Sequence, residues 1–239
     1  MTSTGDWKGK HVVVTTIGTL KNFAGARDAM DLSALRVIVI NDADFFFKAE
    51  TNKKEIEDLT RGTFNKLKQK IQWVLFSATY PEEVIEEINK FVTEAVQIKL
   101  GNSLTHIKQF VIQCPPKGKA ELLVEFNKLL AGTQSIIFCN TRDSVLSLQN
   151  FLKKNCINAA VMFSEMDPEE RVEMMWKFRE GEVHDLITTD VMARGIDVSA
   201  ACEFVINYDV PTMEVGKHET YLHRISRAGQ GIALTLLDR

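Results

Sequence analysis

Short apolar runs rich in β-branched residues alternate with longer amphipathic stretches along the whole chain. His11-Val-Val-Val-Thr-Thr16, Arg36-Val-Ile-Val-Ile40 and Trp73-Val-Leu-Phe76 read as buried parallel strands, because their apolar character is nearly continuous. A second set of strands is expected at 107–113, 135–138, 159–163, 185–188, 204–207 and 232–237. Helical periodicity fills the gaps. The segment 81–94 opens with Pro-Glu-Glu, which suits the positive end of a helix dipole. Segments 143–154 and 168–179 follow the same period, and the latter should stop at Gly181. Strands separated by helices imply an α/β fold with parallel sheets in βαβ units. The polar, glycine-bearing stretch Lys99-Leu-Gly-Asn-Ser103 divides the chain into two lobes, 1–100 and 104–239.

Composition changes this picture little. Apolar residues make up 45% and charged residues 26% of the 239, as in an ordinary soluble globular chain. A formal charge of -3 gives no global basic field, so any nucleic-acid contact must come from a local surface. No apolar run reaches membrane-span length, and Met1-Thr-Ser-Thr-Gly-Asp lacks a signal-peptide core. Cys114, Cys139, Cys156 and Cys202 show no CxxC spacing and read as reduced structural thiols, implying a reducing compartment, cytosol or nucleus.

The chemistry concentrates late in the chain. Leu186-Ile-Thr-Thr-Asp-Val-Met-Ala-Arg-Gly-Ile-Asp197 is an apolar strand ending in hydroxyls and a carboxylate, followed by a turn bearing Arg194, Gly195 and Asp197. Ligands of open α/β sheets bind just outside the carboxyl ends of the strands. Tyr221-Leu-His-Arg-Ile-Ser-Arg-Ala-Gly229 adds His223, Arg224 and Arg227, a density of donors suited to phosphate oxygens.

These two segments resemble the fifth and sixth motifs of the DEAD-box RNA helicases. Ser77-Ala-Thr79 resembles the third motif and Ile136-Ile-Phe-Cys-Asn-Thr-Arg142 the fourth. Asn41-Asp-Ala-Asp44 stands where the family has Asp-Glu-Ala-Asp, and Thr15-Thr-Ile-Gly18 resembles its RNA-binding Thr-Pro-Gly element. The resemblance implies two RecA-like parallel-sheet lobes, with ATP and Mg2+ bound across them. The first lobe is expected to be incomplete: no Gly-x-x-x-x-Gly-Lys-Ser/Thr pattern and no adenine-reading glutamine segment occurs, and Gly5-Asp-Trp-Lys-Gly9 is no substitute.

Carried onto this chain, the resemblance marks a degenerate catalytic set of Asn41, Asp42, Asp44, Ser77, Thr79, His223, Arg227 and Gln230. Asn41 lacks the charge that a hard cation prefers, and Asp42 is one methylene shorter than the family's glutamate. An error of about 1 Å can cost roughly a hundredfold in rate. Gln230 replaces the arginine that stabilises the transferring phosphate, an effect worth about 10³-fold or more. ATP contacts fall on Gly195, Asp197, Arg224 and Arg227; Asp197 serves equally well as a helix N-cap. RNA contacts fall on Thr16, Gly18, Arg142, Arg171, Thr189 and Asp190, although Pro168 replaces the glutamine that usually accompanies Arg171. The partner implied is the backbone of single-stranded RNA.

Leu104-Thr-His-Ile-Lys-Gln109, Arg179-Glu-Gly-Glu182 and Glu219-Thr-Tyr-Leu-His-Arg224 resemble the family's messenger-RNA-export branch, which works at the nuclear pore with a nucleoporin and an export activator. Two readings stand at this point. One is an RNA-dependent ATPase that remodels RNA or RNA–protein complexes. The other is a truncated pseudo-helicase that binds RNA or a helicase partner without catalysis.

Overall fold

A computed structural model describes residues 9–25, 31–92, 94–99, 103–130, 132–190, 202–211, 217–229 and 231–238. The chain divides into two compact units, Met1–Ile98 and Lys99–Arg239.

In the larger unit six strands, all parallel, form one sheet: β3 (Lys108–Cys114), β4 (Ser135–Phe138), β5 (Ala159–Met162), β6 (Asp185–Thr188), β7 (Phe204–Asn207) and β8 (Ile232–Asp238). Their order is β3-β8-β7-β4-β6-β5. Side chains alternate between the two faces, and each face has its own apolar layer. Ile136, Phe138, Met162, Leu186 and Val205 pack with Met175 and Phe178 of α7 (Pro168–Arg179) and Ile225 of α8 (Lys217–Ile225). Ile137, Ile187, Ile206, Leu234 and Leu236 pack on the other side with α5 (Lys119–Leu129) and α6 (Arg142–Lys154). Helices on both faces explain why the inner strands β4, β6 and β7 read as nearly unbroken apolar runs, whereas β3, at the sheet edge, is largely exposed.

The helix ends follow local chemistry. Thr141 caps α6 by accepting from the Ser144 amide at 3.1 Å, and Val145, Leu148 and Leu152 give it a buried stripe. Asp167 caps α7 by accepting from the Glu169 amide at 2.9 Å, with Pro168 in the first turn. The helix ends before Gly181, whose φ of +75° is the left-handed conformation expected of a stop. Gly231 has a different reason to be glycine. A Cβ there would lie 1.8 Å from the Glu203 carbonyl oxygen, so only a bare Cα lets β8 begin against the strand beside it.

The smaller unit has one two-stranded parallel sheet, β1 (Val37–Ile40) with β2 (Gln72–Leu75). Around it lie α1 (Ile17–Gly25), α2 (Ala43–Lys48), α3 (Glu50–Gly62) and α4 (Glu82–Phe91). Its core is Ile40, Ala43, Phe47, Ile56, Val84 and Ile88, closed by an edge-on contact of Trp73 with Phe91 at 4.7 Å. Two expectations need correction here. His11–Thr16 is not a strand: it pairs with no neighbour, and Val12 and Val14 are 81% and 94% exposed. An apolar run becomes a strand only where a ladder accepts its backbone groups. Nor are β1 and the Trp73–Phe76 strand buried on both faces, since Val37, Val39 and Phe76 are exposed.

One buried carboxyl in the larger unit sets a pH dependence. Asp185 accepts from Ser135 Oγ and from Asn127 Nδ2, each at 2.6 Å. Burial pushes its carboxyl above the ordinary value, opposed by the Ser135 hydrogen bond, the His184 charge and the Asn127 hydrogen bond. The folded chain therefore binds this proton more tightly than the unfolded chain. That contribution favours folding at acid pH and is lost as pH climbs through the folded-state value. Asp185→Asn is expected to gain denaturant stability relative to the parent as pH rises from about 4 to about 7. A difference between the two proteins that does not change with pH contradicts this.

Candidate functional site

In the smaller unit the polar groups gather at the carboxyl ends of β1 and β2. The chain leaves β1 through Asn41 and Asp42, then enters α2, and the Ala43 amide bonds back to the Phe76 carbonyl at 2.9 Å. Asp44 is fully buried, and its carboxylate accepts from Ser77 Oγ at 2.5 Å and from Thr79 Oγ1 at 2.9 Å. Two hydroxyls on one carboxylate satisfy a charge that would otherwise be costly to bury. The group is felt nearby: burial, then the Asp44 charge, raises the Tyr80 phenol above its ordinary value. Asp44, Ser77 and Thr79 thus form one bonded cluster across 33 and 35 positions of sequence.

Asn41 and Asp42 lie outside that cluster. Asp42 adopts the left-handed conformation (φ 53°, ψ 49°), which aspartate tolerates better than most residues, and the Asn41 amide donates to its carboxylate at 3.4 Å. A neutral amide, one carboxylate engaged by that amide and a second engaged by two hydroxyls make a poor set for Mg2+, which favours free anionic oxygens. No group of three or more His, Cys, Asp or Glu suited to a metal occurs among the described residues. Thr16 is the residue before α1, and its hydroxyl accepts from the Thr19 amide at 3.4 Å. A Cβ on Gly18 would meet nothing within 4 Å, so the fold itself does not require glycine there.

In the larger unit the centre is Arg224. Its side chain is fully buried. Nε and Nη2 donate to the two Asp190 oxygens at 2.5 and 3.1 Å, Nη2 also to Asn140 Oδ1 at 2.8 Å, and Nη1 to the Asp209 carbonyl at 2.7 Å. The guanidinium lies over the Phe138 ring, 5.3 Å from its centroid. Arg224, expected at ATP, and Asp190, expected at RNA, are bonded to each other, so the fork that would meet a ligand also holds the fold together. His223 is also buried, with 2% exposed, so its ring lies within the unit.

Arg142, which opens α6 after β4, and Thr189, which follows β6, stand at the carboxyl ends of adjacent strands. Arg142 opens α6, is exposed, and lies over the Phe163 ring at 5.1 Å. The Thr189 amide bonds to the Met162 carbonyl at 3.3 Å, beside that same ring. Arg171 is half-buried on α7, and its Nε has no hydrogen-bond partner. Arg227 follows α8, its Nε 3.3 Å from the His223 carbonyl. Gly195, Asp197 and Gln230 lie outside the described residues. The residues that sequence reasoning missed are Asp209, Ser144 and the ligand role of Asn140; the only local signal was a polar residue following a strand.

Residues 2–88 match the DEAD/DEAH box helicase family, and residues 118–231 match the helicase conserved C-terminal domain. The chain belongs to the DEAD-box RNA helicases. ATP-dependent RNA helicase DBP5 of Gibberella zeae is 37% identical over 227 residues, covering 92% of this chain and 45% of that protein. Eukaryotic initiation factor 4A of Caenorhabditis elegans is 35% identical over 237 residues, covering 96% and 56%. The chain thus spans about half the length of the curated relatives it matches. S. cerevisiae Dbp5 bound to RNA and ADP BeF3 superposes with a TM-score of 0.83 at 30% identity, over 97% of this chain and 61% of that one. A variant of the yeast protein bound to Nup159, Gle1 and ADP gives 0.58 at 28% identity, over 94% and 58%. The α/β architecture with parallel sheets is that of the RecA-like helicase lobes.

Within this DEAD-box chain Arg224 has a measurable structural weight. Arg224→Ala leaves Asp190 without its counter-ion and is expected to cost about 3 kcal/mol of stability in the larger unit. Arg224→Lys should recover little of it, since an ammonium cannot fork onto a carboxylate. Denaturant unfolding checks both, and a lysine variant as stable as the parent argues against the buried-fork description.

Proposed function

We propose that this chain works as an RNA-gripping element of a DEAD-box helicase core, holding the sugar-phosphate backbone of a single strand during RNA or RNA–protein remodelling. The observation that carries the reading is the convergence of exposed Arg142 and of Thr189 on the Met162–Phe163 end of β5. A cation, a hydroxyl and backbone amides at a helix start are the donors that track phosphates without reading bases. Arg171, half-buried on α7, adds a further cation. Thr16 and Gly18 supply a second contact in the smaller unit, where the open space at Gly18 admits close approach of a ligand backbone.

The nucleotide of the family is ATP, and Gly195, Asp197 and Arg227 are the residues here that would meet it. Hydrolysis by this chain alone is not part of the proposal. Asn41 in place of a metal-anchoring carboxylate, and neutral Gln230 in place of an arginine, each remove charge that phosphoryl transfer needs. These residues favour the second reading, a non-catalytic binder of RNA or of a helicase partner. The cellular step we assign is messenger-RNA export, in nucleus and cytoplasm at the pore, with a nucleoporin and an export activator as partners. The likeness to Dbp5, solved with Nup159 and Gle1, supports that assignment. No described helix is long and apolar enough to cross a membrane.

Purified 1–239 with ATP is expected to release phosphate no faster when single-stranded RNA is added. RNA-stimulated release above the buffer rate refutes the non-catalytic reading. Fluorescein-labelled oligouridine should bind with a shallow salt dependence, because few charges take part. An Arg142→Ala, Thr189→Ala double variant is expected to bind it at least about tenfold more weakly, roughly the loss of one charge-assisted contact. Unchanged anisotropy titrations for that variant remove the proposed surface.

A further inference from the structure

Asp209, which follows β7, belongs to no motif read from the sequence, yet it is bonded through side chain and backbone alike. Its Oδ2 accepts from the Asn140 amide and from Ser144 Oγ, each at 3.0 Å. Its amide bonds to the Phe138 carbonyl at 3.2 Å, and its own carbonyl accepts from Arg224 Nη1 at 2.7 Å. Asn140 completes the circuit: its Nδ2 donates to the Val210 carbonyl at 2.7 Å and its Oδ1 accepts from Arg224 at 2.8 Å. Arg224 in turn holds Asp190, the neighbour of Thr189.

Three loops are tied together by these bonds, those following β7, β4 and β6, which are adjacent in the sheet. Asn140 and Ser144 flank Thr141 and Arg142, so Asp209 clamps the start of α6 from both sides of the residue that faces phosphate. Without the Asp209 carboxylate the turn between β4 and α6 would keep the Thr141 cap and the Asn140 side-chain bonds, but the Asn140 amide and the Ser144 hydroxyl would lose their shared acceptor. Prior ordering of a binding group removes an entropic cost that would otherwise be met on association.

From this geometry we infer that Asp209 is a positioning residue for RNA. Its carboxylate acts by fixing Arg142 through the Asn140 amide and Ser144. The inference rests on the RNA reading above, and its test separates the two.

The measurement is fluorescein-oligouridine anisotropy on the full 1–239 chain, repeated across a salt series, with the thermal midpoint of each variant alongside. Asp209→Ala is expected to bind about tenfold more weakly, on the scale of one lost charged hydrogen bond, and to show the reduced salt slope of Arg142→Ala. Asp209→Asn keeps a carbonyl oxygen for both donors and should bind within about twofold of the parent; a residue acting by its charge would not be rescued in this way. Combining Asp209→Ala with Arg142→Ala should weaken binding no further than Arg142→Ala alone, since the two act through one contact. Parent-like affinity and slope for Asp209→Ala, while Arg142→Ala binds weakly, overturn the positioning role and leave the RNA reading intact. Parent-like binding by both variants sinks the RNA reading, and the inference with it. Should Asp209→Ala fail to fold, Ser144→Ala, which removes one of the two side-chain bonds, is read in its place; parent-like affinity and slope there overturn the inference.

Discussion

A guanidinium taken out of water is tolerable only when its donors find acceptors and its charge finds a counter-ion. In the larger unit Arg224 meets that demand with Asp190, Asn140 and the Asp209 carbonyl, one partner from each loop that follows β6, β4 and β7. The requirement runs both ways. The arginine can stay buried only if the three loops hold their places, and the loops keep their places because displacing any of them strands a charge. Phe138 beneath the guanidinium ties this polar centre to the apolar layer below. The carboxyl edge of the sheet is therefore set by one cation rather than by the loops' own preferences.

The smaller unit uses the mirror-image device. There the buried ion is an anion, Asp44, and the groups that stabilise it are the Ser77 and Thr79 hydroxyls delivered from the end of β2. In both units a single charged side chain at the strand ends fixes loops that are distant in sequence. The difference lies in the surroundings. Around Arg224 the sheet has six strands with helices on both faces, whereas around Asp44 it has two, with Val37, Val39 and Phe76 exposed.

Much of this was legible in advance because the signals were local. The strands from 135 onward are short β-branched runs, and α6 and α7 carry their own caps and stops at Thr141, Asp167 and Gly181. Family motifs single out Ser77, Thr79, Asp190 and Arg224. What motif spacing could not supply was who bonds to whom. Arg224 reads as a phosphate ligand because the motif it sits in gathers His223, Arg224 and Arg227; its partners lie 34, 84 and 15 residues away and no pattern announces them. Asp209 escaped for the same reason. His11–Thr16 failed on opposite grounds: its composition is that of a strand, but pairing is a property of the neighbour and not of the run itself.

Among the described residues each unit has its own apolar core, a single cluster in one and a layer on either face of the sheet in the other, so each is expected to unfold as a cooperative unit of its own. A denaturation curve of this molecule is then expected to hold two transitions of unequal size, and a variant's midpoint is read on the transition of the unit that carries it. Probes report different halves. Trp73 packs against the smaller core, whereas Trp176, on the outer face of α7, is 53% exposed, so fluorescence follows the smaller unit more closely than the larger one while circular dichroism weights the transitions by helix content.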